Sequence, residues 1–256
     1  MLTVSSPTIK DYSVTVKDVT KTYGKLKVLD GVSFNVGSSQ FVSLVGSSGC
    51  GKSTCLKIIA GLIPRTSGTV MIGDAPVSGP VVGTGIVFQQ PSLLPWRSTL
   101  ENILLPVELS GDGKAKYRER AQALIKLVGL EGFEKAFPHK LSGGMEQRTA
   151  ICRSLILDSP VLLMDEPFGA LDALTREMMW VELGRIWAAS KRTLVFVTHS
   201  IEEAVFLSDV VVVFSKRPAV VKATFEVDIP RPRGKEIFTN QRFVELTSRI
   251  RNQLEI

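Results

Sequence analysis

The segment Gly46-Ser47-Ser48-Gly49-Cys50-Gly51-Lys52-Ser53-Thr54 fits the pattern G-x-x-x-x-G-K-[ST] at every fixed position, and the chemistry of that pattern is a phosphate cradle. Glycines let the backbone approach an anion closely, successive N–H groups point inward, and a helix that starts in the loop adds the positive end of its dipole. Lys52 is placed to reach β- and γ-phosphates, and the Ser53 hydroxyl to ligate Mg2+, with Thr54 as its neighbour. Asp165-Glu166 closes an apolar run further along. There a carboxylate can hold the metal shell while the adjacent glutamate polarises an attacking water. His199 closes another apolar run and is a candidate contact for the γ-phosphate, a hydrogen-bonded turn histidine being the competing reading. Gln89 stands where a glutamine at a strand end can hold a water; an ordinary loop glutamine is the alternative.

Two further features bear on a nucleotide. Ser142-Gly143-Gly144 opens a helical pattern with a serine N-cap, a second anion site in the same chain, which suggests that both meet on one nucleotide. Tyr23, shortly ahead of the phosphate loop, is the candidate platform for a base, against a plain surface tyrosine. Cys50 sits inside the loop beside Lys52. A helix dipole there would stabilise its thiolate and make it reactive, unless the sulfur turns into the core and is inert.

These residues need elements to carry them. Apolar runs at 41–45, 85–88, 161–164, 194–197 and 210–214 read as buried strands, and several of the candidate residues follow them directly, the arrangement in which open α/β sheets bind ligands. Residues 52–62 read as the helix after the loop. Residues 13–16, 32–36 and 68–73 alternate like strands of a half-exposed antiparallel sheet, after a lead through about Lys10 expected to be disordered. From Thr99 to about Ser159 the pattern is helical, with Ala121, Leu124, Ile125 and Val128 on one face. The stretch 229–235 reads as a stiff basic linker, and Phe243, Leu246, Thr247, Ile250 and Leu254 mark an amphipathic helix that either packs on the body or serves a surface.

Composition narrows the class. At 256 residues the chain can bury a substantial core, and 44% hydrophobic with 22% charged residues is that of a globular protein. No run approaches the roughly 18 apolar residues of a membrane span, and the N-terminus lacks a signal pattern, so the expectation is a cytoplasmic chain. Cys50, Cys55 and Cys152 form no metal-ligand or redox spacing and are expected to be free thiols. The net charge of +6 leaves polyanionic partners open, although the basic residues are dispersed apart from Arg231 to Lys235.

Leu141-Ser142-Gly143-Gly144, with the phosphate loop upstream and residues 161–167 downstream, resembles the ATPase subunit of an ABC transporter over about residues 12–214. The resemblance implies an α/β fold: a RecA-like P-loop NTPase core with an antiparallel β subdomain and an inserted α-helical subdomain. It divides a single domain, 12–256, into a core with β subdomain (12–90 and 160–215), a helical subdomain (91–159) and a C-terminal extension (216–256). It implies hydrolysis of ATP with Mg2+. Tyr23 matches the adenine-stacking aromatic, Gln89 the glutamine that senses metal and membrane partner, Asp165 the metal-shell aspartate, Glu166 the catalytic base and His199 the switch histidine. Asp172, in Ala170-Leu171-Asp172, matches the loop that pairs across a dimer. Two copies would join head to tail, Ser142 to Gly144 of one closing over the ATP held by Lys52 of the other.

The implied partners are transmembrane permease subunits, docked near Gln89 to Trp96 at the cytoplasmic face of the membrane, and an external solute-binding protein. No nucleic acid is expected. Leu93-Leu94-Pro95-Trp96, residues 166–172 and residues 201–204 narrow the resemblance to importers of nitrate, sulfonate and taurine. A soluble ABC ATPase acting on nucleic acid or ribosomes is the alternative, disfavoured by the short interval between Gln89 and Ser142. Two positions depart from the family pattern: Met145 stands where glutamine is usual, and Ser200 where aspartate commonly follows the switch histidine.

Overall fold

The computed structural model describes residues 12–254, so the expected disordered lead lies outside the described residues. Its centre is built from short strands rich in Val, Leu, Ile and Phe that are buried on both faces, as parallel strands covered on both sides must be. These are β3 (Phe41–Val45), β7 (Val161–Asp165), β8 (Thr193–Thr198) and β9 (Val210–Phe214), joined at one edge by β6 (Thr84–Val87), which is buried on one face only, after β1 (Val14–Tyr23), β2 (Leu26–Val36), β4 (Ser67–Ile72) and β5 (Ala75–Pro76). With β10 (Val221–Glu226) they form a six-stranded sheet, order β10-β9-β3-β8-β7-β6, parallel except for the antiparallel β10–β9 pair.

Because side chains alternate across a sheet, each strand feeds two cores. Val42, Leu44, Val195 and Val197 face helix α1 (Lys52–Ile59) and the antiparallel sheet β2-β1-β4-β5. Phe41, Val45, Leu194 and Phe196 face the other way, into a core shared with the remaining helices. Each large side chain buried in these layers contributes about 1.5–3 kcal/mol before the entropy of ordering is subtracted.

The helical segment comprises α2 (Thr99–Ile103), α3 (Leu105–Ser110), α4 (Lys114–Leu127) and α5 (Gly143–Leu155). A capping box starts α2: Glu101 N donates to Ser98 Oγ at 3.3 Å, and Ser98 N to Glu101 Oε2 at 2.8 Å. On α4, Ala121 and Ile125 are buried, so the apolar face read from the sequence is core. Helices α6 (Ala173–Ser190) and α7 (Ile201–Leu207) complete that side, and α8 (Gln241–Leu254) seats Phe243, Leu246 and Ile250 against the body. The amphipathic helix read near the C-terminus therefore packs on the body.

The basic stretch before α8 is structural. Arg233 donates to the carbonyls of Val205, Phe206, Ser208 and Ile229 at 2.7–3.2 Å, while Arg231 pairs with Asp209 at 3.0 Å and lies over the Trp187 ring. Among the described residues no helix is long and apolar enough to cross a membrane.

Candidate active site

The C-terminal ends of β3, β7 and β8 lie side by side, and each delivers part of the site. From β3 the chain turns through residues 46–51 into α1, whose N-cap is Gly51 with no side-chain cap, so its first N–H groups face the loop unclaimed by a capping oxygen. Gly51 has φ +125, and a Cβ there would lie 2.8 Å from Leu29 Cδ2, so only glycine lets β2 pass behind the loop. Ser47, Ser48 and Gly49 form the exposed tip. Lys52 is buried in the loop's concavity, its Nζ donating to Gly46 O at 2.7 Å and Ser47 O at 3.1 Å. Arg217 braces the tip from outside by donating to Gly49 O, across a separation of 168 residues that no local pattern could have revealed.

From β7 come two carboxylates with different environments. Ser53 Oγ donates to Asp165 Oδ1 at 2.8 Å. Burial pushes the Asp165 carboxyl above its ordinary range, and the Ser53 hydrogen bond opposes that shift. These two residues line a cleft of about 490 Å3 together with Lys57, Phe88, Gln89, Gln90 and Ser92. Hydroxyl, carboxylate and amide oxygens are hard donors, and a Mg2+ ion shared with phosphates needs only one or two such protein ligands, so the set fits that ion. Among the described residues no group of three His, Cys, Asp or Glu side chains could hold a metal by itself.

Glu166 follows with φ +45, a left-handed conformation uncommon for a non-glycine residue. It is held there by its N–H to Val197 O at 2.9 Å and by Gly169 N donating to its carbonyl at 3.1 Å. From β8 comes His199, whose Nδ1 lies 3.1 Å from Glu166 Oε2. Behind this pair Glu203 is 4% exposed and accepts from Trp180 Nε1 at 2.8 Å; burial raises its pKa. Ser200 caps α7 by accepting from Glu203 N at 3.2 Å, which is what the serine does at that position.

Ser142 caps α5 by accepting from Met145 N at 3.3 Å. Ser142 and Gly143 are exposed and do not line the cleft that contains Ser53, Gln89 and Asp165. Gly144 abuts the 170–172 loop: a Cβ on it would lie 3.2 Å from Leu171 Cδ2. Asp172 in that loop caps α6 by accepting from Thr175 N at 3.0 Å. Tyr23 ends β1 at the hairpin turn, 47% exposed, with Lys21 Nζ 4.6 Å from its ring centroid. Thr54 is half-buried on α1. Cys50 is 2% exposed, its sulfur 2.9 Å from where a Gly46 Cβ would stand, so the expected reactive thiol is turned into the core.

Residues 29–169 match the ABC transporter family. An uncharacterized ABC transporter ATP-binding protein of Methanocaldococcus jannaschii is 46% identical over 94% of this chain and 90% of its own length. The chain belongs to the ABC transporter family. A taurine import ATP-binding protein of Rhizobium johnstonii is 44% identical over 90% of both chains. Among solved structures, the dimeric post-hydrolysis state of the ATP-binding cassette MJ0796, bound to ADP and Pi, superposes with a TM-score of 0.76 at 33% identity, covering 85% of this chain and all of that one. The fold of this ABC cassette is that of a P-loop NTPase, as the motifs imply.

Proposed function

We propose that the chain is the ATP-hydrolysing subunit of a membrane importer for a small anionic or zwitterionic solute of the taurine, sulfonate or nitrate kind. The observation that carries this reading is the convergence of the phosphate loop, the Asp165-Glu166 pair and His199 on adjacent strand ends, with Glu166 and His199 within 3.1 Å. The family and the taurine-import relative support the importer role. The whole span 12–256 is read as one ATPase domain, its core and β subdomain in 12–90 and 160–215, its helical subdomain in 91–159 and a C-terminal extension in 216–256.

In this reading residues 46–54 cradle the phosphates of ATP, Lys52 shifts its ammonium from loop carbonyls to the β- and γ-phosphates, and Tyr23 stacks on the base. Ser53, Asp165 and Gln89 hold Mg2+, which when bound neutralises charge on the phosphate oxygens. Glu166 orients and accepts a proton from the attacking water, and His199 fixes Glu166 and contacts the γ-phosphate. Ser142 and Gly143, both exposed, and the half-buried Gly144 beside them close over the nucleotide of a second copy, with Asp172 pairing across the same interface. The dimeric cassette MJ0796 supports that assembly. Trp96, 70% exposed beside Gln89's segment, is the anchor for a permease subunit at the cytoplasmic membrane face. A solute-binding protein completes the system.

The test is Glu166→Gln. ATP affinity should stay within about twofold while turnover falls by at least about a hundredfold, and ATP should trap a dimer on size-exclusion chromatography. Parent-rate hydrolysis by a variant that stays monomeric would remove Glu166 from this role.

A further inference from the structure

Residues 88–98 lie in neither helix nor strand, yet Gln89 in that segment reaches the cleft with Ser53 and Asp165. Backbone carbonyls without a ladder partner need other donors. Three of them, on both sides of Gln89, find theirs on one helix. Gln147 Nε2 donates to Phe88 O at 3.2 Å, and Arg153 donates to Pro91 O at 2.7 Å and to Ser92 O at 2.9 Å. Gln147 is 1% exposed, so its amide is committed to this contact. Ser92 holds φ +47, a conformation that needs support from its surroundings. Among the described residues no carboxylate pairs with Arg153. Its guanidinium is spent on neutral carbonyls, and burial pulls its pKa down, so its planar fork is used for geometry rather than for an ion pair. Both residues stand on α5, the helix that Ser142 caps and that begins at Gly143.

We propose that Arg153 and Gln147 are positioning residues that fasten the 88–92 segment to α5, so that Gln89 and the Ser142 to Gly144 surface move as one body. The helix between Gly143 and Arg153 spans about 15 Å at 1.5 Å per residue, and a rigid-body shift of α5 along its length carries both ends together. Docking of Ser142 to Gly144 on a second copy would then be felt at the Ser53 and Asp165 cleft of the same chain through Gln89. This rests on the reading of Gln89 and of the dimer given above.

The experiment uses the full chain with Arg153→Met, Arg153→Lys and Gln89→Ala. Amide hydrogen exchange reports the fastening directly. Arg153→Met should speed exchange in 88–98 about tenfold, leave β3, β7 and β8 at parent protection, and raise the Mg2+ concentration for half-maximal hydrolysis about tenfold; Arg153→Lys, which can reach one carbonyl, should recover part of both. On the Gln89→Ala background Arg153→Met should add nothing to the Mg2+ requirement. Gln147→Leu, which removes only the Phe88 bond, should loosen 88–90 and serves if Arg153→Met does not fold. Parent exchange rates in 88–98 for a folded Arg153→Met would overturn the proposal, as would an equal Mg2+ effect with and without Gln89. If Gln89→Ala alone leaves the Mg2+ requirement unchanged, the reading of Gln89 fails, and the exchange rates still decide whether α5 holds the segment.

Discussion

His199 Nδ1 lies 3.1 Å from Glu166 Oε2, although 33 residues separate them and each follows a different strand. The pairing follows from β7 and β8 running parallel as neighbours, with Asp165 opposite Val197, so the residues just beyond both strands meet. An exposed pair of this kind adds little to stability; its value is to aim a carboxylate held at φ +45. His199→Ala should therefore lower kcat by about a hundredfold or more with ATP affinity nearly unchanged and thermal stability within about 0.5 kcal/mol. Steady-state kinetics beside equilibrium nucleotide binding checks the split.

Ser200 separates a structural from a chemical role for the residue after His199. Its hydroxyl accepts from Glu203 N at 3.2 Å, so Ser200→Ala should cost about 1 kcal/mol in denaturant unfolding, while Ser200→Asp, also a good cap, should stay within a few tenths of the parent. Hydrolysis rates that follow stability across the three proteins would show that capping is what the position requires.

Arg233 should be far more costly to replace than its place in a basic run suggests. Removing its guanidinium strands carbonyls of Val205, Phe206, Ser208 and Ile229 in a buried setting, and Arg233→Met should destabilise by about 3 kcal/mol. Denaturant midpoints check it. Arg249→Met, on an exposed face of α8, should cost less than about 0.5 kcal/mol and serves as the control.

The three thiols should be silent in the native chain. Burial raises Cys55 and Cys152 to about 12, and Cys50 is packed beneath Gly46. A thiol reagent at pH 8 should label none of them rapidly with or without Mg-ATP, and all three in denaturant. Fast, nucleotide-protected labelling of Cys50 would restore the reactive reading.

The sequence by itself determined the parts whose physics is local. A phosphate loop is a run of backbone conformations and N–H directions, so glycine spacing with Lys52 and Ser53 states it outright, and the buried strands at 41–45, 161–164 and 194–197 are legible because a two-faced core demands continuous apolar runs. The helical pattern of 115–128 and the cap at Ser142 are equally local. Only the tertiary structure decided which distant groups meet. That Arg231 and Arg233 bond to carbonyls instead of facing a polyanion, that Cys50 turns inward, that Gly144 abuts Leu171, and that Arg217 and Arg153 brace loops far away in the chain all depend on desolvation and on donors finding acceptors across the fold. Such pairings leave no period or spacing in the chain, since their free energy arises only when the partners are removed from water together.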